Sequence, residues 1–221
     1  MKPKTIDYAL YLVTDQGLSR GRTTLQVVEA ALKGGVTCVQ LREKSCSTRE
    51  FITEALSLKK LLKRHHVPLI INDRVDIAQA VDADGVHLGQ NDMPINMAKA
   101  ILKDSMIIGI SAESPEHAIQ AEKDGADYLG VSPIYATPTK IDAASPLGLK
   151  GLRDIRASVK IPLVAIGGLN KENAEAVIKH GADGVAVVSA IVSADDPEKA
   201  ARELRKTVEQ ARLSEPVTVS C

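Results

Sequence analysis

Eight short runs of apolar and β-branched residues recur along the chain, and segments with helical periodicity separate them. The runs span residues 8–15, 38–43, 68–73, 85–90, 106–112, 128–134, 162–168 and 184–190. Strands that are apolar along nearly their whole length are typical of a parallel sheet that helices cover on both faces. About eight alternating βα units therefore predict an α/β fold, a closed (β/α)₈ TIM barrel.

Residues with good capping chemistry stand at the start of four of the intervening segments. The predicted helices begin next to Thr24, Ser47, Ser114 and Asn170. Three strand entries also resemble one another, at residues 83–86, 125–128 and 181–184. They indicate either one helix-turn-strand unit that is repeated around a ring or only the general preference of Gly and Asp for turns.

An open, doubly wound sheet is the alternative fold. It is disfavoured because no G-x-G-x-x-G motif follows the first run, where a dinucleotide-binding sheet needs one. No linker or change of composition divides the chain. We therefore expect residues 1–221 to form a single barrel domain, with a loosely ordered tail after about residue 212.

Charge and composition exclude several classes of partner. Basic and acidic residues number 28 each, so no net charge attracts nucleic acid or an anionic membrane, and five aromatic residues are too few for base stacking. Cys38, Cys46 and Cys221 lack the spacing of a zinc site or a disulfide framework. The first apolar run is too short for a signal peptide or a membrane span, which favours a soluble, cytoplasmic protein. Whether it forms a homo-oligomer stays open.

Polar residues follow almost every predicted strand, at the end where barrels carry their chemistry. Side-chain alternation places Gln40, Arg42 and Lys44 on one face and Leu41 and Glu43 on the other. The later strand ends carry Asn72, Asp73, Asp92, Ser111, Gly168, Val188 and Ser189, and residues 133–140 follow the sixth strand. Each of these taken alone fits a turn, a cap or a solvated loop, and His87 fits a core imidazole. Their coincidence on one rim favours a binding site.

Cations and carboxylates on this rim indicate a polyphosphate and a hard metal ion. Arg42, Lys44 and Lys140 supply positive charge, and Asp73 with Asp92 supplies the one or two carboxylates that Mg²⁺ prefers. The alternative is that Asp73 caps a helix near Val75 and that Asp92 caps the next one. Backbone N–H groups near Gly168, Val188 and Ser189 would suit a phosphate monoester. Two phosphorylated substrates, one of them a diphosphate, imply group transfer.

Five motifs resemble those of the thiamine phosphate synthases. They are QLREK at residues 40–44, IND at 71–73, HLGQND at 87–92, PIYATPTK at 133–140 and AIGG at 165–168. The resemblance runs from about Tyr11 to about Ala201. It implies a barrel enzyme that joins an aminopyrimidine diphosphate to a thiazole phosphate and releases diphosphate, through a pyrimidine cation.

The resemblance also implies a role for each matched residue. The pyrimidine diphosphate site comprises Gln40, Leu41, Arg42, Glu43, Lys44, Asn72, Ser111 and Lys140, of which Arg42, Lys44, Ser111 and Lys140 are catalytic. Asp73 and Asp92 are the implied Mg²⁺ ligands. Thr137, Pro138, Thr139, Gly168, Val188 and Ser189 form the implied thiazole phosphate site. A thiazole tautomerase and a non-catalytic phosphate-binding barrel are the alternative functions.

Overall fold

The computed structural model describes residues 6–137 and 145–214 and contains all eight predicted strands. The strands are β1 (Leu10–Val13), β2 (Cys38–Leu41), β3 (Leu69–Asn72), β4 (Gly85–Leu88), β5 (Ile107–Ala112), β6 (Tyr128–Val131), β7 (Leu163–Ile166) and β8 (Gly184–Val187). Each strand pairs in parallel with the next, and β8 pairs with β1. The predicted closed (β/α)₈ barrel is confirmed.

Nine α-helices and one 3₁₀ helix surround the strands within these residues. The 3₁₀ helix spans Gln16–Leu18, and the α-helices are α1 (Thr24–Lys33), α2 (Thr48–His65), α3 (Val75–Ala80), α4 (Ile95–Ile101), α5 (Pro115–Asp124), α6 (Gly148–Ser158), α7 (Ala174–Lys179), α8 (Ser189–Val192) and α9 (Pro197–Leu213). None of the helices in this part of the chain is long and apolar enough to cross a membrane.

The helix starts follow from local capping chemistry. Ser47 and Ser114 cap α2 and α5 as predicted, since each hydroxyl accepts an N–H of the first helical turn. The α1 cap is Thr23, one residue before the predicted position. The prediction for Asn170 is wrong: its side chain closes a turn onto the Glu172 N–H, and α7 begins only at Ala174.

The resemblance among strand entries has a structural cause at the amino-terminal end of the barrel. Asp84, Asp127 and Asp183 each precede a strand, and each carboxylate accepts an N–H from the strand before it, at 2.8–2.9 Å. The Thr37 hydroxyl does the same for the Leu10 N–H at 3.0 Å. These four strand-entry hydrogen bonds tie β1 to β2, β3 to β4, β5 to β6 and β7 to β8, so the repeated unit is a pair of strands.

Two apolar regions fill the molecule. The larger one lies between the sheet and the helices. The smaller one fills the barrel and contains Tyr8, Tyr11, Val13, Cys38, Ile70, Ile107, Tyr128, Val164 and Ala186. Three of the five aromatic residues of the chain thus lie inside the barrel. The residue after β8, Val188, packs on this interior column, which places it at the opposite end of the barrel from the strand entries.

The strand-entry hydrogen bonds yield a stability prediction. Asp127→Ala leaves the Ile108 N–H without its acceptor and should lower the free energy of unfolding by about 1–3 kcal/mol. Asp127→Asn retains an acceptor oxygen and should lose less. Urea denaturation of the two variants measures the difference. Equal losses for Ala and Asn would contradict a role for this hydrogen bond.

Candidate active site

Side chains from the first three strands converge at the carboxyl end of the barrel. Gln40 lies inside the barrel and is 5% exposed, whereas Arg42 and Lys44 follow β2 at its rim. The Arg42 Nη1 donates to Asp15 Oδ2 at 2.8 Å, and the Lys44 Nζ donates to Asp73 Oδ2 at 2.6 Å. Arg42 and Lys44 are therefore each held by a carboxylate of a neighbouring strand end.

Leu41 and Glu43 lie on the other side of this segment, as side-chain alternation predicts. The Leu41 side chain is fully buried in the outer core, so only its backbone can reach a ligand at the rim. The Glu43 Oε1 is buried and has no hydrogen-bond partner within the described residues. Burial raises the pKa of the Glu43 carboxyl to about 7, and the nearby charges of Glu54 and Asp15 add to the shift.

A cavity of about 140 Å³ lies beside the rim cations. Its lining consists of Asp15, Gln16, Gly17, Arg42, Glu43, Lys44 and Ser45. Asp15 also accepts the Leu18 N–H, so the 3₁₀ helix after β1 fixes the carboxylate that holds Arg42. We did not predict Asp15 from the sequence, where it resembles an ordinary turn residue.

Asp73 and Asp92 come together from β3 and from the loop after β4. Their carboxyl groups lie close enough together for Asp73 to affect the pKa of Asp92. Burial raises the pKa of the Asp92 carboxyl, and Asp73 raises it further, while the Gly89 N–H at 2.6 Å and Lys44 oppose the shift. Two carboxylates in this arrangement repel each other unless a proton or a cation lies between them.

The capping alternative for these aspartates is wrong. The cap residues of α3 and α4 are Arg74 and Pro94, and neither helix has a side-chain cap. Asp73 has a backbone φ of +61°, a left-handed conformation that is uncommon outside glycine. Its carboxylate accepts the Lys44 Nζ and makes no bond to the backbone of the helix that follows.

Hard oxygen ligands in this pair suit a divalent cation of the Mg²⁺ type. In residues 6–137 and 145–214, no three His, Cys, Asp or Glu side chains lie close enough together to hold a metal ion. A cation at Asp73 and Asp92 would thus take its other ligands from water or from substrate oxygens.

Asn72 and Ser111 lie inside the same end of the barrel. Asn72 ends β3, and its half-buried side-chain amide has no hydrogen bond within the described part of the chain. The Ser111 Oγ lies 3.0 Å from His87 Nε2. His87 Nδ1 in turn lies 2.9 Å from the Tyr128 hydroxyl, so His87 is the core imidazole that its position in a strand predicts.

The predicted second anion site joins the ends of β6, β7 and β8. Gly168 has a φ of +65°, and a Cβ on it would lie 2.7 Å from the Ala136 carbonyl oxygen. This close approach packs the loop after β7 against the loop that leads to Thr137. Exposed Ser189 begins α8, whose first N–H groups have no partner within the helix. Pro138, Thr139 and Lys140 lie outside the described residues.

Residues 10–191 match the family described as thiamine monophosphate synthase. A thiamine-phosphate synthase of Chloroflexus aurantiacus is 59% identical over 203 residues, which are 92% of this chain and 94% of that protein. One from Syntrophomonas wolfei is 54% identical over 92% of this chain and 98% of its own. The solved structure of a thiamine phosphate pyrophosphorylase from Pyrococcus furiosus superposes with a TM-score of 0.87, at 48% identity over 93% of this chain and 98% of that one.

The carboxylate pair predicts an unusual dependence of stability on pH. Because folding raises the pKa of Asp92, its ionisation destabilises the folded protein as the pH rises through that pKa. In chelator at neutral pH, Asp92→Asn should therefore raise the melting temperature, since Asn can still accept the Gly89 N–H. The gain should vanish as the pH falls toward 3.8, the ordinary aspartate value.

Asp104→Asn is the matched control, because Asp104 is exposed and makes no hydrogen bond within the described residues. It should leave the melting temperature unchanged across the same pH range. A loss of stability in Asp92→Asn at neutral pH would contradict carboxylate repulsion.

Proposed function

The chain belongs to the thiamine monophosphate synthase family and is a transferase of thiamine biosynthesis, and we propose that it transfers a pyrimidine methylene group from diphosphate to a thiazole phosphate. The substrates would be 4-amino-2-methyl-5-hydroxymethylpyrimidine diphosphate and 4-methyl-5-(2-phosphoethyl)thiazole. The observation that carries this proposal is the carboxylate pair Asp73–Asp92 beside Lys44 and Arg42 on one rim.

The reaction exchanges one bond for another. The methylene C–O bond breaks and the diphosphate leaves with the electron pair, which gives a cation that the aminopyrimidine ring stabilises. The thiazole nitrogen then supplies its lone pair, and the new C–N bond gives thiamine phosphate. The protein needs no nucleophile for either step, only a site that stabilises the departing charge and aligns the two rings.

The residues around β2 and β3 fit the diphosphate end of this reaction. Arg42 and Lys44 would turn from Asp15 and Asp73 toward the diphosphate, with Lys140 as a third cation. Asp73 and Asp92 would hold Mg²⁺, which when bound neutralises charge on the diphosphate oxygens. Gln40, Asn72 and Ser111 would provide hydrogen bonds to the pyrimidine diphosphate, together with the backbone at Leu41 and Glu43.

The thiazole phosphate would bind where the loops after β6, β7 and β8 meet. Thr137, Pro138 and Thr139 would line one side of it, and Gly168, Val188 and Ser189 the other. The tight packing of Gly168 on Ala136 supports one continuous site, because it fixes the two sides relative to each other.

The carboxylate pair also weighs against the two alternatives. A thiazole tautomerase transfers a proton and needs no cations to bind a diphosphate. A non-catalytic barrel has no use for two carboxylates that repel each other and so destabilise the fold. Incubation of the purified protein with both substrates and Mg²⁺ tests the proposal. Formation of thiamine phosphate and diphosphate is expected, and their absence would refute it.

Activity should depend on Mg²⁺ through both Asp73 and Asp92. Asp73→Asn and Asp92→Asn should each lose most turnover, and the double variant should lose little more than the worse single variant, since both act on one ion. Mg²⁺ should raise the melting temperature of the wild-type protein but not of these variants. Asp104→Asn should retain both activity and the Mg²⁺ response. Full wild-type activity in exhaustive chelation would contradict the metal assignment.

The thiazole end can be tested separately at Gly168. Gly168→Val should weaken binding of the thiazole phosphate more than binding of the pyrimidine diphosphate, because the new side chain would press on Tyr135 and Ala136. Gly148→Val is the control: Gly148 has a φ of +62°, but a Cβ there meets nothing within 4 Å among the described residues. Calorimetric titration of each substrate measures the two affinities. Equal weakening of both by Gly168→Val would mean a general distortion of the barrel.

A further inference from the structure

A chain of hydrogen-bonded side chains crosses the interior of the barrel below the rim. Gln40 Nε2 donates to the Tyr11 hydroxyl at 2.9 Å, and the Tyr11 hydroxyl lies 2.9 Å from that of Tyr128. The Tyr128 hydroxyl lies 2.9 Å from His87 Nδ1, and His87 Nε2 lies 3.0 Å from Ser111 Oγ. Five side chains from five strands thus form one continuous connection between two residues of the proposed pyrimidine diphosphate site.

The barrel interior is built around this chain. Tyr11 and Tyr128 are at most 1% exposed. A Cβ on Gly109 would lie 2.1 Å from the Tyr128 ring, and a Cβ on Gly130 would lie 2.8 Å from the His87 ring. Strands β5 and β6 therefore provide glycines where these two rings need space. Burial also raises the pKa of both phenols well above its usual value, so they stay protonated.

The donor at Gln40 sets the direction of every bond in the chain. Tyr11 accepts from Gln40 and has one proton to donate, and the Tyr128 oxygen is a better acceptor for it than the neighbouring Cys38 sulfur. Tyr128 then donates its own proton to His87 Nδ1. His87 is consequently the tautomer with its proton on Nε2, which donates to the Ser111 oxygen. The Ser111 proton has to point elsewhere.

We propose that Tyr11 and Tyr128 are positioning residues that hold His87 as the Nε2–H tautomer and thereby direct the Ser111 hydroxyl proton into the active site. Because Gln40 uses its side-chain Nε2 in this chain, its side-chain oxygen Oε1 is available to the site. A donor at Ser111 suits an anionic oxygen of the leaving diphosphate, and an acceptor at Gln40 suits the pyrimidine amino group. This assignment of partners rests on the proposed function, whereas the tautomer does not.

The tautomer can be measured on the wild-type protein without substrate. In ¹⁵N-labelled protein, the histidine signals that disappear in His87→Gln identify His87. We expect its Nε2 to carry the N–H and its Nδ1 to have the chemical shift of an acceptor nitrogen. An N–H on Nδ1 would reverse the chain and overturn the proposal, whatever reaction the enzyme performs.

Tyr128→Phe removes one hydroxyl from the chain and leaves the ring in place. We expect this variant to lose the single His87 tautomer, so that Ser111 no longer holds its hydrogen bond to the charged diphosphate. Loss of one such bond should lower kcat for thiamine phosphate formation by about 10- to 100-fold. Tyr8→Phe is the matched control. Tyr8 packs its ring 4.7 Å from that of Tyr128, yet its hydroxyl makes no hydrogen bond within the described residues.

Tyr8→Phe should retain the wild-type His87 signals and kcat within twofold. An unchanged kcat and tautomer in Tyr128→Phe would overturn the proposal, and so would equal losses in the two variants, which would indicate a packing effect. If the wild-type protein forms no thiamine phosphate, the proposed function fails, and the His87 spectra still decide the direction of the chain.

Discussion

Closure of eight parallel strands into a ring brings the carboxyl ends of all eight strands to one rim. Each strand is hydrogen-bonded to a neighbour on both sides, so the strand ends are rigid supports for side chains that come from distant parts of the sequence. Asp15, Arg42, Asp73 and Asp92 belong to four different βα units, yet Asp15 binds Arg42 and Asp73 affects the pKa of Asp92. The chemistry of the rim depends on this closure, since no local segment contains the site.

The two cations that follow β2 form ion pairs with carboxylates of the same rim. Arg42 is bound to Asp15 and Lys44 is bound to Asp73, while Asp92, which has no cation bound to it among the described residues, has a raised pKa. In the proposed reaction, a diphosphate with its metal ion would replace these internal partners by stronger ones, because it brings the negative charge that the cations need and the positive charge that the carboxylates need. Substrate binding would thus exchange one set of ion pairs for another.

The sequence predicted the barrel because strand and helix periodicity are local properties, and it predicted the rim because strand ends are visible as polar residues after apolar runs. Asp15 and Tyr128 were missed for a physical reason: their roles come from contacts with Arg42 and His87, which lie 27 and 41 residues away. Tyr11 was missed as well, because its place beside Cys38 inside the barrel is set by the pairing of β1 with β2. The predicted start of α7 was wrong because the Asn170 side chain accepts a backbone N–H in a turn, as it would in a helix cap.

The four strand-entry hydrogen bonds divide the barrel into four quarters, each a pair of adjacent strands with its helices. Asp7, just before β1, is bound by Arg205 and Arg212 of the last helix, so the first and last segments of the barrel meet in space. The order in which the quarters follow one another along the chain is therefore not fixed by their contacts. A circularly permuted chain that opens at residues 66–68, between α2 and β3, would keep each strand-entry bond inside one continuous stretch, and the ring could be assembled from a different starting quarter.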